Sequence, residues 1–277
     1  MGLRIATNIA SQNVQKNLKE VSNAGNSSLE KLSSGKRITK ASDDAAGLAI
    51  STNLEAQTKG LRQATRNAND GISLVQTAEG GLNETTNILT RLRELTIQAS
   101  SDTVGEQERG FLDKEYQQLT KEIDRISEST VFNGTQLLNG EGKGSMDFQV
   151  GAFAGEQNRI TFDSGESDSS ASAIGVKGTS ISEKGDALSA IGDIDKAIEK
   201  VSGQRANLGS IQSRLQSTVK NLEVQTINQD SARSVIQDVD VAEATANLAS
   251  NQVVKNAAVS TLAQANGIPN SALRLIG

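Results

Sequence analysis

From Ile50 to Ala99, apolar and small residues recur in steps that alternate four and three without a break: Ile50, Leu54, Gln57, Leu61, Ala64, Ala68, Gly71, Val75, Ala78, Leu82, Thr85, Leu89, Leu92, Thr96 and Ala99. That spacing lines one face of an α-helix and is the heptad pattern of a helix packed lengthwise against others. At 1.5 Å per residue the helix would be a rod of roughly 75 Å. The chain has a single proline, Pro269, so proline blocks no long helix in its body. Gly80–Gly81 is where the seam is expected to bend or hinge. Ser42, Asp43 and Asp44 offer short polar caps and negative charge at the start, and Ser100–Ser101–Asp102 with Gly105 beyond forms the stop.

A second helix is predicted over 106–129, where Leu112, Tyr116, Leu119, Ile123 and Ile126 step four, three, four, three, folding back on the first. The period then changes. Residues 131–165 carry Asn133–Gly134 and Asn139–Gly140 as turn positions between short apolar runs; Met146, Phe148 and Val150 alternate, as do Ile160 and Phe162. This predicts β-hairpins. Residues 164–186, rich in Ser, Gly and acids, read as a surface loop. Helical period returns over 187–235, with Ile194, Ile198, Val201, Leu208, Leu215, Val219 and Leu222 on one face.

The two ends are thinner. Val14, Leu18, Val21, Gly25, Ser28 and Leu32 form one stripe; Val235, Val239, Ala242, Ala246, Ala249 and Val253 form another. Neither helix would hold alone in water, so each is expected to pair with the other. The expected fold is therefore mainly α. It is a long antiparallel helical coiled-coil bundle with a small β-hairpin section, with residues 1–43 and 236–277 paired as one domain and 44–235 forming a second, rod-like one.

Composition supports this and excludes much else. Aromatic residues are only 2 % of the 277, so burial must come from small aliphatic side chains along extended contacts. Histidine and cysteine are absent, which removes disulfides, thiolate sites, His-based triads and HExxH metal sites. No segment reaches the ~18 apolar residues of a membrane span. The start has no apolar signal-peptide core, and Met1–Gly2 opens like a myristoylation motif that Ala6 then breaks. Residues 1–43 hold seven Lys/Arg against three Asp/Glu, but the whole chain is net −5, which disfavours nucleic acid as a partner. Gly140-Glu141-Gly142-Lys143-Gly144 lacks phosphate-loop spacing. Asp43 with Asp44, and Asp238 with Asp240, read as helix-start charges rather than catalytic pairs. Asn133-Gly134-Thr135 fits a glycosylation sequon, and a tight turn accounts for it as well. No enzyme activity and no cofactor are expected.

A series of short motifs stands in order along the chain. They are Leu29-Glu30-Lys31-Leu32-Ser33-Ser34-Gly35-Lys36-Arg37-Ile38, Asp43-Asp44-Ala45-Ala46-Gly47-Leu48-Ala49-Ile50, Ala68-Asn69-Asp70-Gly71-Ile72, Gln76-Thr77-Ala78-Glu79-Gly80-Gly81-Leu82, Arg91-Leu92-Arg93-Glu94-Leu95, Phe132-Asn133-Gly134 and, near the end, Ala263-Gln264-Ala265-Asn266. This ordered set resembles the bacterial flagellins over about the first 140 and last 90 residues. The resemblance implies a minimal flagellin without large outer domains. It would be a structural subunit that polymerises into the extracellular flagellar filament for swimming motility and is exported without a cleaved signal peptide. Leu273-Arg274-Leu275-Ile276-Gly277 departs from the family's usual ending.

The same resemblance implies a helical homopolymer and, as further partners, an export chaperone, a filament cap and hook–filament junction proteins. It also places a patch read by host Toll-like receptors at Arg91, Leu95 and Glu115. Subunit packing is expected from Ile50, Leu54, Leu61, Leu89, Leu92, Leu112, Leu119 and Ile123, and packing of the terminal core helices from Val14, Leu18, Val21, Leu32, Val239 and Val253. The alternatives are a hook–filament junction protein, which shares the terminal helices, and another kind of coiled-coil binding module.

Overall fold

The computed structural model describes the backbone of residues 7–141 and 144–276, and side chains as far as residue 267. The readings that rest on Met1, Gly2, Ala6, Gly142, Lys143 and the Leu273–Gly277 side chains lie outside the described residues. The order is α1 (Ile9–Ser34), α2 (Ala45–Ser100), α3 (Glu106–Ser129), β1 (Val131–Phe132), β2 (Thr135–Gln136), β3 (Ser145–Gln149), a 3-10 turn (Glu156–Asn158), β4 (Arg159–Asp163), α4 (Lys184–Gln237) and α5 (Val241–Ile276). The fold is mainly α, with two separate antiparallel strand pairs, β1–β2 and β3–β4, among the described residues. The chain divides into two compact units, Met1–Ala56 with Asn228–Gly277, and Gln57–Ile227.

The larger unit is built on the α2 seam. From Leu61 to Ala99 every seam position is buried. Tyr116 and Ile123 of α3 join Leu82, Leu89, Leu92, Ile194, Val201, Leu208 and Leu215 in one core, with Leu112 and Leu119 packed at its edge. Helix α4 runs antiparallel to α2: Lys184 meets Asp102 at 2.6 Å and Arg93 meets Asp195 at 2.8 Å. These exposed pairs set orientation more than they add stability.

Helix α2 runs unbroken through Gly80–Gly81. A Cβ at Gly81 would stand 2.7 Å from Leu138 Cδ1 and Thr130 Oγ1, and one at Gly71 would stand 3.2 Å from the Phe148 ring. Glycine in this helix makes room for the β section to lie on it, and Asn67 Nδ2 donates to the Gln149 carbonyl at 3.0 Å beside it. Close approach of this kind offsets the helix propensity that glycine loses.

Residues 164–186 are not a surface loop. Ala171, Val176 and Ile181 are fully buried, and Ile174 nearly so. The segment is a strap pinned to α3: Asp124 Oδ1 accepts from Ala171 N, and Asp113 Oδ1 accepts from Ile181 N and Ser180 Oγ, at 2.8–2.9 Å. Its serines read as solvent-facing, yet Ser164, Ser167 and Ser169 are buried with their hydroxyls bonded to backbone carbonyls, which is what burial of a hydroxyl requires.

The smaller unit pairs α1 with α5 in antiparallel fashion. Asn8 caps α1 by accepting from Ser11 N, and Gly35 ends it at φ 67, the left-handed residue that commonly closes a helix. Asp44 accepts from Gly47 N at the start of α2, and Asp240 accepts from Ala242 N at the start of α5. These acids cap helix ends. The two chain reversals are tied together: Val239 N donates to the Gly35 carbonyl, and Arg37 N to the Gln237 carbonyl.

Candidate functional site

Along α1 the expected stripe is the paired one: Val14, Leu18, Val21, Gly25, Ser28 and Leu32 are each half-buried. On α5 the expected stripe is on the wrong side. The buried or half-buried positions run Ala244, Leu248, Asn251, Ala258, Leu262 and Ala265, again in steps of four and three once Lys255 is counted. Val253 is 69 % exposed and Val235 80 %, so neither packs against α1. Val239 is half-buried at the reversal. The error has a physical source: α5 is so rich in alanine that two faces satisfy the heptad rule, and only contact with α1 selects between them.

The far ends of the pair are fastened by polar bonds. Asn8 Nδ2 donates to the Ala265 carbonyl at 2.9 Å and Ser11 Oγ to Asn266 Oδ1 at 2.7 Å. Midway, a groove of about 410 Å³ opens between the helices, lined by Val21, Gly25, Leu29, Leu248 and Ala249 among others. Leu29 and the α5 valines Val241, Val253, Val254 and Val259 are exposed.

The expected packing residues of α2 divide. Leu61, Leu89 and Leu92 are buried; Leu54 is half-buried; Ile50 is exposed within the single chain. The receptor-patch residues also divide. Arg91 bridges Glu115 at 3.0 Å and Glu94 at 2.9 Å on the surface, while Leu95 is 1 % exposed and belongs to the core. Leu95 therefore supports that surface from beneath and cannot be touched directly.

In the β section, Asn133 and Gly134 have φ 48 and 76, the pair of positive angles of a type I′ two-residue turn. Asn139–Gly140 is a turn too, with Gly140 at φ 71. It lies in the link between β2 and β3 rather than at a hairpin tip. Phe132 and Phe148 pack against the core from its rim.

Among the described residues no three acidic side chains cluster as a metal site, and no helix is long and apolar enough to cross a membrane. The feature that remains is uncovered apolar surface. The α5 valines, exposed opposite and on both flanks of the face that meets α1, leave apolar surface of the kind that marks an interaction site, as in a helical assembly subunit.

Comparison with known proteins names the assembly. Residues 5–143 match the bacterial flagellin N-terminal helical region, and residues 191–276 match the bacterial flagellin C-terminal helical region. A flagellin of Halalkalibacterium halodurans is 43 % identical over 97 % of this chain and 98 % of its own length. The flagellar filament core protein flaB2 of Brachyspira hyodysenteriae is 39 % identical over 98 % and 99 %. The crystal structure of a Bacillus cereus flagellin superposes with a TM-score of 0.51 at 30 % identity, covering 57 % of this chain and 88 % of that one. The chain belongs to the bacterial flagellin family, a family of structural proteins.

Proposed function

We propose that this chain is a structural subunit that polymerises with copies of itself into the extracellular flagellar filament for swimming motility. The observation that carries the reading is the uncovered arc of α5, where Val241, Val253, Val254 and Val259 are exposed on a helix whose other side is already paired. Burial of such residues between subunits would stabilise the polymer by about 1.5–3 kcal/mol for each valine fully covered. Residues 1–43 with 236–277 would form the inner layer and residues 44–235 the layer around it. Ile50 and Leu54, incompletely covered within the chain, would be packed there by neighbouring subunits.

Export without a cleaved signal peptide goes with this reading, as does handling by an export chaperone, a filament cap and hook–filament junction proteins. The Arg91–Glu115 surface is the part of the patch that a host Toll-like receptor could reach. The β section would lie at the contact between successive subunits, its two-residue turn at Asn133–Gly134 able to hold two nearby conformations at small cost. A curved filament needs such an element beside a rigid rod.

Electron microscopy of purified chain after seeding tests the core of the reading. Long filaments are expected; discrete oligomers would refute it and favour a junction protein. Gly134→Ala and Gly140→Ala, which penalise positive φ, should still polymerise but shift the balance of straight and curved forms. Wild-type curvature in both across pH and salt would remove the switching role.

A further inference from the structure

The chain contains three Asn–Gly pairs, 133–134, 139–140 and 266–267. A glycine after asparagine leaves the backbone nitrogen unhindered for attack on the preceding carboxamide, because there is no Cβ in the way. By sequence the three are equivalent. The fold makes them different.

Asn139 is held at both ends of its carboxamide: Nδ2 donates to Gln136 Oε1 at 2.6 Å, and Oδ1 accepts from Glu141 N at 3.1 Å. Asn266 accepts from Ser11 Oγ at 2.7 Å and sits inside α5, where helical geometry fixes its backbone. Asn133 is exposed, and its carboxamide makes no hydrogen bond among the described residues. It is also the one described non-glycine residue with positive φ, at 48, a conformation that asparagine tolerates and most other residues avoid. The strands flanking it are two residues each, paired as Val131↔Gln136 and Phe132↔Thr135, with Leu137 N donating to the Thr130 carbonyl just beyond; the turn itself projects from this anchored base.

We propose that Asn133 is a site of spontaneous deamidation selected by the fold, which Asn139 and Asn266 resist. The Gly134 nitrogen, after losing its proton to solvent base, bonds to Asn133 Cγ. The carbon–nitrogen bond of the carboxamide breaks, and ammonia leaves with a proton from solvent. Water then opens the resulting five-membered succinimide at either carbonyl. One opening gives aspartate; the other gives isoaspartate, with the main chain rerouted through Cγ. No electrons are transferred and no reactant beyond water is needed. Aspartate adds a negative charge at the turn while keeping its length. Isoaspartate lengthens a two-residue turn by one backbone carbon, and turn length sets the register of the strands it joins.

The test uses the full chain, held in mildly alkaline buffer at physiological temperature and sampled over days. Cleavage after Arg125 and Lys143 releases one peptide carrying both Asn133 and Asn139, so fragmentation mass spectrometry compares them within one molecule. A second peptide reports Asn266, and labelling with an isoaspartate methyltransferase reports the rearranged form. Conversion at Asn133 should run severalfold ahead of the other two in the folded chain, and the three rates should converge in denaturant. An unreactive Asn133, a folded rate no higher than that of Asn139 or Asn266, or the same ranking in denaturant would overturn the proposal.

Discussion

The hydroxyl of Tyr116 lies 2.6 Å from Thr179 Oγ1, and this contact joins helix α3 to the buried strap that crosses it. Thr179 spends its own hydroxyl proton on the Val176 carbonyl at 2.7 Å, so the tyrosine donates. The ring is fully buried, and burial pushes the phenol above its ordinary value by disfavouring the phenolate.

Tyr116 is the chain's one tyrosine, so its ionisation can be followed by ultraviolet absorbance without interference. Folded protein should titrate above the ordinary tyrosine range and denatured protein within it. The sign follows from the raised folded value: the stabilisation is complete below the unfolded pKa and is lost as pH rises through the folded one. Tyr116→Phe should abolish the absorbance signal and destabilise by about 1 kcal/mol through the lost hydrogen bond. A folded titration in the ordinary range would show that the strap does not seal this ring.

Leu89 is at full burial in the centre of the seam. Leu89→Ala should destabilise by about 2–5 kcal/mol and lower the melting temperature by several degrees, measured by circular dichroism on monomer. A shift below a degree would mean that the seam repacks freely around it.

The carboxylate of Asp43 accepts from Thr39 N, Lys40 N and Thr39 Oγ1 at 3.0–3.1 Å. The backbone bond from Thr39 is the first cause holding its pKa below the ordinary carboxylate value, followed by the bond from Lys40. A depressed folded value means that the turn is favoured above the unfolded pKa and loses this contribution as pH falls through the folded one. Carboxyl-carbon NMR should show Asp43 titrating below a free aspartate; a value at or above the free one would refute the turn.

The two faces of α5 can be separated by substitution. Leu248→Ala should loosen the α1–α5 pair in the monomer, making both termini more sensitive to protease. Val253→Ser should leave monomer helicity unchanged and slow filament growth. Growth at the wild-type rate would mean that the exposed valines are not subunit contacts.

Much of the helical plan was legible because it is written in period. The seam from Leu61 to Ala99, the α3 stripe through Tyr116 and Ile123, and the α1 stripe through Val14, Leu18 and Val21 each offer one apolar face, and one face admits one answer. The alternation of Met146 and Phe148 against Ile160 and Phe162 was readable for the same reason, and in the sheet Met146 stands opposite Phe162 and Phe148 opposite Ile160. The family was legible from ordered motifs rather than from physics.

The strap, the α5 register and the place of Leu95 were not legible, and each failed for its own reason. In the strap, the serines look solvated by composition, but backbone carbonyls accept from the buried ones inside, and α3 carboxylates accept from the strap's own backbone. On α5, alanines satisfy two registers equally. Leu95 stands one turn from the exposed Arg91, but lies outside the single stripe by which the seam was drawn. By itself the sequence determined which segments are helical and that both ends need partners, since periodicity and proline-free composition act along one helix at a time. Only the tertiary structure decided which face of α5 is covered, that the strap is interior and that α2's glycines seat the β section. Those choices depend on what lies across the contact, and no single segment carries that information.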